Sequence, residues 1–241
     1  METLNPSNPA FTFAFQPIVD AATRCAWSQE ALIRGASNEP AYQILQQVPP
    51  EHFHQFDQQA RLKAIELAAS LEIGCNLNLN FPPQCLHLFP GSILEILKAA
   101  RVVNLSAERI VLEVTEQEAI RDPADFAGLI NEYRGYGLRL AIDDFGAGSS
   151  GLNLLADFQP DQIKLDMKLV RNIDRNGPRQ AIVRAVLQVC LDLGIDVIAE
   201  GIETAEEYSW LAREGVQYYQ GYLFARPAFE AFATVHYPDL S

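Results

Sequence analysis

Apolar residues in this chain gather in short runs, separated by longer stretches in which they recur at helical spacing. The runs FTFAFQPIV (11–19), CNLNLNF (75–81), RIVLEVT (109–115), LRLAIDD (138–144), QIKLD (162–166), DVIAEGI (196–202) and QYYQGYLF (217–224) read as strands. Between them, Asp57 to Leu71 places Ala, Leu and Ile on a helical repeat. Asp125 to Tyr136 follows Asp122-Pro123, an N-cap with a first-turn proline. Arg179 to Leu193 is apolar at Ile182, Val183, Val186, Leu187, Val189 and Cys190 and stops at Gly194. Thr204 to Arg213 opens with Thr-Ala-Glu-Glu, close to a capping box, and ends before Gly215. Strand and helix alternating with short connections predict a mostly parallel sheet. About seven or eight such units in 241 residues favour a closed (β/α)₈-type barrel over an open doubly wound sheet. No glycine-rich phosphate loop of the dinucleotide or P-loop kind follows any strand, which also weighs against the open sheet.

The pattern runs without a low-complexity linker or a shift in composition, so one domain is expected over 11–235. The first ten residues carry two prolines and read as a flexible lead-in, and 236–241 as a frayed tail. No apolar run approaches a membrane span, and the N-terminus lacks a basic-then-apolar signal pattern, so a cytoplasmic protein is expected. Cys25, Cys75, Cys85 and Cys190 have no metal-type spacing and read as reduced thiols. His52 and His54 fall in a Pro- and Gln-rich stretch and read as a solvated loop or helix start rather than as ligands.

In a parallel barrel the working face is the C-terminal mouth, built from the last residues of several strands. The strand-like runs end in Asn80, Glu113, Asp143 with Asp144, Lys164, Glu200 and Gln220, polar residues that the apolar runs have no structural need of. Asp143-Asp144 poses a local problem, because neighbouring strand residues face opposite ways and one carboxylate would be buried. At a strand's last turn both can reach the mouth. Oxygen donors without cysteine or histidine suit hard divalent cations such as Mg²⁺ or Mn²⁺. Asp143 can bridge two ions and Asp144 serve one, the arrangement that activates water and clamps a phosphoester. Lys164, as an ammonium, cannot bind a metal but can orient water or stabilise charge on phosphate. The 31 acidic and 18 basic residues give a formal charge of −13, which repels nucleic acid and which bound cations would offset for an anionic substrate.

Phe15-Gln16-Pro17-Ile18-Val19 precedes Glu30-Ala31-Leu32, in QEALIRG. Asn80, EVTE (113–116), DDFGAGSS (143–150), IKLD (163–166), AEGIET (199–204) and QGYLFARP (220–227) follow in order, covering about 12 to 230. This motif series is similar to that of the EAL domains, bacterial cyclic di-GMP phosphodiesterases. The resemblance implies a modified TIM barrel that hydrolyses cyclic di-GMP to linear pGpG with two Mg²⁺ or Mn²⁺ ions. It implies Glu30, Asn80, Glu113, Asp143, Asp144 and Glu200 as metal ligands and Lys164 as the residue holding the attacking water. Glu200 doubles as a general-base candidate. Arg34 is implied at a substrate phosphate, Gln16 near a guanine, and Gln220, Asp166 and Glu203 at further motif positions. Glu116 and the loop Phe145, Gly146 to Ser149 and Ser150 resemble a pair coupling metal binding to dimerisation, so a homodimer is expected, with regulation from a sensor domain or partner protein.

Three positions depart from the family pattern. Asn80-Phe81-Pro82 replaces Asn-Leu-Ser, with Asn78 two residues earlier on the same strand face as the other candidate ligand. Gly35 replaces a tryptophan, as in EAL domains fused to light-sensing BLUF modules. Ser149 stands where an aromatic is frequent. A receptor that binds cyclic di-GMP without hydrolysing it is the main alternative; another two-metal barrel hydrolase is a third.

Overall fold

The computed structural model describes residues 9–83, 91–117, 128, 130, 134–148 and 151–238. Its strands are β1 (Phe11–Asp20), β2 (Cys25–Gly35), β3 (Asn76–Asn80), β4 (Ile110–Thr115), β5 (Arg139–Phe145), β6 (Gln162–Leu165), β7 (Asp196–Ala199), β8 (Tyr218–Tyr219) and β9 (Ala228–Phe229). β2 through β8 pair in sequence, each parallel to the next. β1 closes the ring by pairing antiparallel with both β2 and β8, and β9 extends from its edge. The barrel is therefore eight-stranded and closed, with one strand reversed. This is the modified TIM barrel that the motif series implies.

The helices are α1 (Ala41–Leu45), α2 (Phe53–Ser70), α3 (Ser92–Val102), α4 (Gly151–Phe158), α5 (Met167–Val170), α6 (Gly177–Leu193) and α7 (Ala205–Arg213). Local chemistry sets several ends. Thr204 and Glu207 form a reciprocal capping box on α7. Asn176 caps α6, Pro178 fills its first turn, and Gly194 ends it in the left-handed region at φ 70°. The core lies between the strands' outer faces and the helices. There Phe11 of β1 meets Phe56 of α2 edge-on at 4.8 Å, and Phe15 meets Phe232 at 5.2 Å.

Every predicted strand run contains a strand, although 217–224 contracts to Tyr218–Tyr219 before the chain turns. β2 escapes the apolar pattern because Ser28 and Glu30 put polar groups on its inward face. α2 begins four residues before Asp57, so His52 is its N-cap and His54 lies in its first turn. Of the helix predicted over 125–136, Gly128, Ile130 and 134–136 are helical; its remainder, and Ser149 and Ser150, lie outside the described residues. Within the expected tail, Tyr237 is anchored: its hydroxyl donates to the Asp20 carbonyl at 2.9 Å and its ring takes the Arg24 guanidinium.

Candidate metal centre

Five strands deliver charged side chains to one point. Lys164, on β6 and 1% exposed, places Nζ 2.9 Å from Glu113 Oε1 on β4, 3.2 Å from Asp143 Oδ1 on β5 and 3.3 Å from Glu30 Oε2 on β2. Oε1 of Glu200, just past β7, lies at 2.8 Å. One ammonium faces four carboxylates, so negative charge is in surplus. Burial by itself disfavours the ammonium, but Asp143, Glu113, Glu200 and Glu30 together hold its pKa well above the usual lysine range.

The acids respond in the opposite sense. Burial pushes Glu113 up to about 8; Glu30 and Asp143 add to the shift, while Lys164 and the Asn78 amide oppose it. Burial likewise raises Asp144 to about 6, with Asp143 and Asp166 adding to it. Glu200 is raised too, first by burial and then by Asp143 and Glu30, against the pull of Lys164.

The paired aspartates both reach the mouth through a local irregularity in β5. Ile142 pairs with Ile163 and Phe145 with Leu165, so three steps on β5 oppose two on β6. A bulge of this kind re-aims side chains that a regular pleat would send to opposite faces. Asp144 takes φ 55°, and its amide donates to Asp143 Oδ1 at 2.9 Å. Ligand atoms of Asp143, Asp144 and Glu200 all fall within 4.8 Å of one another. Oε2 of Glu113 is buried without a hydrogen-bond partner among the described residues. An orphaned carboxylate oxygen and a surplus of acids are what a divalent cation satisfies, so the donor set fits a hard metal.

A second layer fixes this set. Ser28 Oγ bonds to Asn78 Oδ1, and Asn78 Nδ2 donates to Glu113 Oε1 at 2.8 Å. Asn78 is fully buried, whereas Asn80 is exposed at the end of β3, level with Glu113 in the parallel register. Gln220 donates to Glu30 Oε2 at 2.6 Å, so it supports that acid directly rather than only facing the cavity. Gly221 permits this approach, because a Cβ there would fall 2.1 Å from the Ile202 carbonyl oxygen. Sequence reasoning missed Ser28, whose signal was a polar residue two before Glu30 on the same strand face.

The remaining motif residues distribute around a cavity of about 370 Å³ lined by Gln16, Asp143, Asp144, Lys164, Asp166, Glu200, Glu203, Gln220 and Tyr222, among others. Gln16 donates to the Ala225 carbonyl at 3.2 Å. Asp166 caps α5 through the Lys168 amide at 2.8 Å, and Glu203 pairs with Arg171 at 2.8 Å. Arg34 lies in a neighbouring cavity with Asn80, its Nη1 turned to the Ile33 carbonyl. Glu116, 1% exposed, accepts from the amides of Gly146 at 2.9 Å and Gly148 at 3.4 Å, fastening the loop after β5. A larger groove of about 610 Å³ opens at the opposite, N-terminal ends of β7 and β8 and contains none of these residues.

Comparison with known proteins agrees with this geometry. The EAL domain family model matches residues 2–227. The blue light- and temperature-regulated antirepressor BluF of Escherichia coli is 35% identical over 94% of this chain, and the match spans 57% of BluF. The cyclic di-GMP phosphodiesterase PdeR of E. coli is 32% identical over 83% of this chain and 31% of PdeR. Thus the chain spans little more than half, or less, of these relatives. A standalone EAL protein of Vibrio cholerae O395, solved with cyclic di-GMP, superposes with a TM-score of 0.88 at 40% identity, covering 97% of this chain and 98% of that one. The manganese and cyclic di-GMP complex of Klebsiella pneumoniae BlrP1 gives 0.89 at 39% identity, over 95% of this chain and 58% of that one.

Proposed function

The chain belongs to the EAL-domain family, and from that premise we propose that it is a metal-dependent phosphodiesterase converting cyclic di-GMP to linear pGpG. The observation that carries this reading is the Lys164 ammonium ringed by Glu30, Glu113, Asp143 and Glu200, with Asp144 beside them. No acid of the motif series is missing.

Glu30, Asn80, Glu113, Asp143, Asp144 and Glu200 would hold two ions, Mg²⁺ or Mn²⁺. When bound, such ions lower the pKa of water and neutralise the phosphodiester. Asn80 rather than Asn78 takes the ligand role, since Asn78 is committed to Glu113 and Ser28. Lys164 holds the attacking water through its Nζ and stabilises charge developing on phosphate. Glu200, in contact with Lys164, accepts the proton of that water. Gln16, Arg34 and Gln220 position the substrate. Asp166 and Glu203 support the mouth through α5 and Arg171.

The decisive experiment incubates purified protein with cyclic di-GMP across a titration of Mg²⁺ and Mn²⁺, with an EDTA control. Formation of pGpG above that control is expected. Its absence from neutral to mildly alkaline pH would remove the hydrolase reading. The second reading, a receptor that signals through protein partners, is favoured by the antirepressor BluF at 35% identity. Tight binding in EDTA without turnover after metal is restored would select it.

The surroundings of this activity follow the same reading. Among the described residues no helix is long and apolar enough to cross a membrane, and the free thiols Cys25, Cys75 and Cys190 suit a reducing cytoplasm. The enzyme acts as a homodimer through the loop that Glu116 fastens, under a sensor domain or partner protein. Sedimentation as a monomer with and without metal would remove the dimer.

A further inference from the structure

The lumen of such a barrel fills in layers contributed by alternate strands. Glu30 on β2, Glu113 on β4, Lys164 on β6 and Gln220 just past β8 make one layer, joined by the bonds of Lys164 and Gln220 to the glutamates. Two residues earlier in each case, and so on the same inward faces, stand Ser28, Val111, Gln162 and Tyr218. They are the next layer of these strands beneath the candidate metal centre. Val111 is apolar and fully buried, and Tyr218 stacks on Trp27 at 4.1 Å. Gln162 is also fully buried, yet neither its Oε1 nor its Nε2 has a hydrogen-bond partner among the described residues. A native interior seldom leaves both ends of a carboxamide unmatched, because each unmatched end costs free energy.

Geometry restricts what completes that amide. Lys164 reaches Glu30 across the lumen at 3.3 Å, so Gln162 and Ser28, one step down on β6 and β2, face one another. Ala141, in register with both Glu113 and Gln162, adds only a methyl group at this level. Ser28 is fully buried, and its hydroxyl donates to Asn78 Oδ1, which leaves its lone pairs to accept. A cation fits poorly: Gln162 offers one oxygen, its NH₂ group would face the ion, and the Lys164 ammonium lies above. Water fits, because it accepts from an amide and donates to a hydroxyl.

Resting on the phosphodiesterase reading above, we infer that this layer binds an internal water that accepts from Gln162 Nε2 and donates to Ser28 Oγ. The donors then all run in one direction. Gln162 gives to water, water to Ser28, Ser28 to Asn78, and Asn78 Nδ2 to Glu113 Oε1 at 2.8 Å. Bonds aligned head to tail strengthen one another, and this chain fixes which end of the Asn78 amide meets Glu113. Gln162 is a positioning residue, setting Glu113 for the metal without touching ion or substrate.

Calorimetric Mn²⁺ titration beside urea unfolding in EDTA tests this, and neither needs turnover. Gln162→Leu should weaken Mn²⁺ binding by about tenfold. It should also lower the urea midpoint, because the water and its bonds leave with the amide. An amide that held nothing would be improved upon by leucine, so a raised midpoint or native Mn²⁺ affinity overturns the inference. Gln162→Asn, which keeps an amide within reach of a further water, should stay within about threefold of native affinity. Ser28→Ala joined to Gln162→Leu should bind Mn²⁺ no more than about twofold worse than the weaker single variant, since both break one chain; additive losses overturn it. Should the leucine variant not fold, high-resolution crystals of the metal-free native chain decide. Ordered water within hydrogen-bonding distance of Gln162 Nε2 and Ser28 Oγ supports the inference, and its absence overturns it. A native chain that shows the water but neither binds Mn²⁺ nor hydrolyses cyclic di-GMP removes the enzyme and leaves the hydrogen-bonded chain. Hydrolysis with no water in that layer removes the chain and leaves the enzyme.

Discussion

The Lys164 Nζ stands 2.8 Å from Glu200 Oε1, with both groups at the end of a strand whose outer face is core. This contact joins the residue assigned to hold the attacking water to the one assigned to receive its proton. It also makes the lysine the counter-charge that lets Glu30, Glu113 and Asp143 be packed together. Lys164→Met should therefore abolish turnover and destabilise the metal-free protein by about 3–5 kcal/mol, as expected when one partner of a buried charge network is removed. Chemical denaturation in EDTA reads the loss. Added Mg²⁺ should recover a larger part of the stability in the variant than in the native chain, and no difference between them would contradict the compensation.

Stability of the metal-free protein should fall as pH rises. Glu113 is raised from 4.5 to about 8 and Asp144 from 3.8 to about 6, so the folded state binds their protons more tightly than the unfolded chain. Their contribution is complete below the unfolded pKa values. It is lost as pH rises through about 6 for Asp144 and about 8 for Glu113. Metal uptake must displace those protons, so affinity should increase over the same interval. Melting curves in EDTA and in saturating Mg²⁺ should diverge with pH; parallel curves would argue against cation binding here.

The two asparagines of β3 should separate by their defects. Asn80→Ala is expected to weaken metal binding by at least tenfold while leaving the fold intact, because Asn80 is exposed. Asn78→Ala removes a buried bond to Glu113 and strands Ser28, so it should cost about 1–3 kcal/mol of stability as well. Calorimetric metal titration beside urea unfolding distinguishes them. Equal destabilisation by both would make Asn80 structural.

Glu116→Ala should release the loop after β5. It leaves the Gly146 amide without its acceptor at 2.9 Å, and hydrogen exchange should quicken at 146–148. Turnover should fall through kcat, since no metal ligand is removed. Unchanged exchange would show that Glu116 does not fasten the loop.

Gly221→Ala tests how tightly the Gln220–Glu30 support is built. A Cβ at this position would meet the Ile202 carbonyl oxygen at 2.1 Å and its amide nitrogen at 2.4 Å. Backbone must move, so a loss of about 2–4 kcal/mol is expected with a parallel drop in turnover. Urea midpoints with activity at matched folded fractions measure both.

The chain's local pattern was enough to give alternating strands and helices, the Thr204 capping box, the Gly194 stop and the acids Glu113, Asp143, Asp144 and Glu200 at strand ends. Each depends on near neighbours: side-chain period, cap chemistry or a run's last residue. Motif resemblance, rather than periodicity, located Glu30, because the polar inward face of β2 hid that strand. Tertiary structure alone decided the reversal of β1, the bulge that turns both aspartates to the mouth, the commitment of Asn78 to Glu113 and the burial of Gln162. These are pairings between residues far apart in sequence, and their energies come from which neighbour excludes water. A linear pattern shows where a charge sits along the chain; only closure of the barrel decides which other charges it must share that space with.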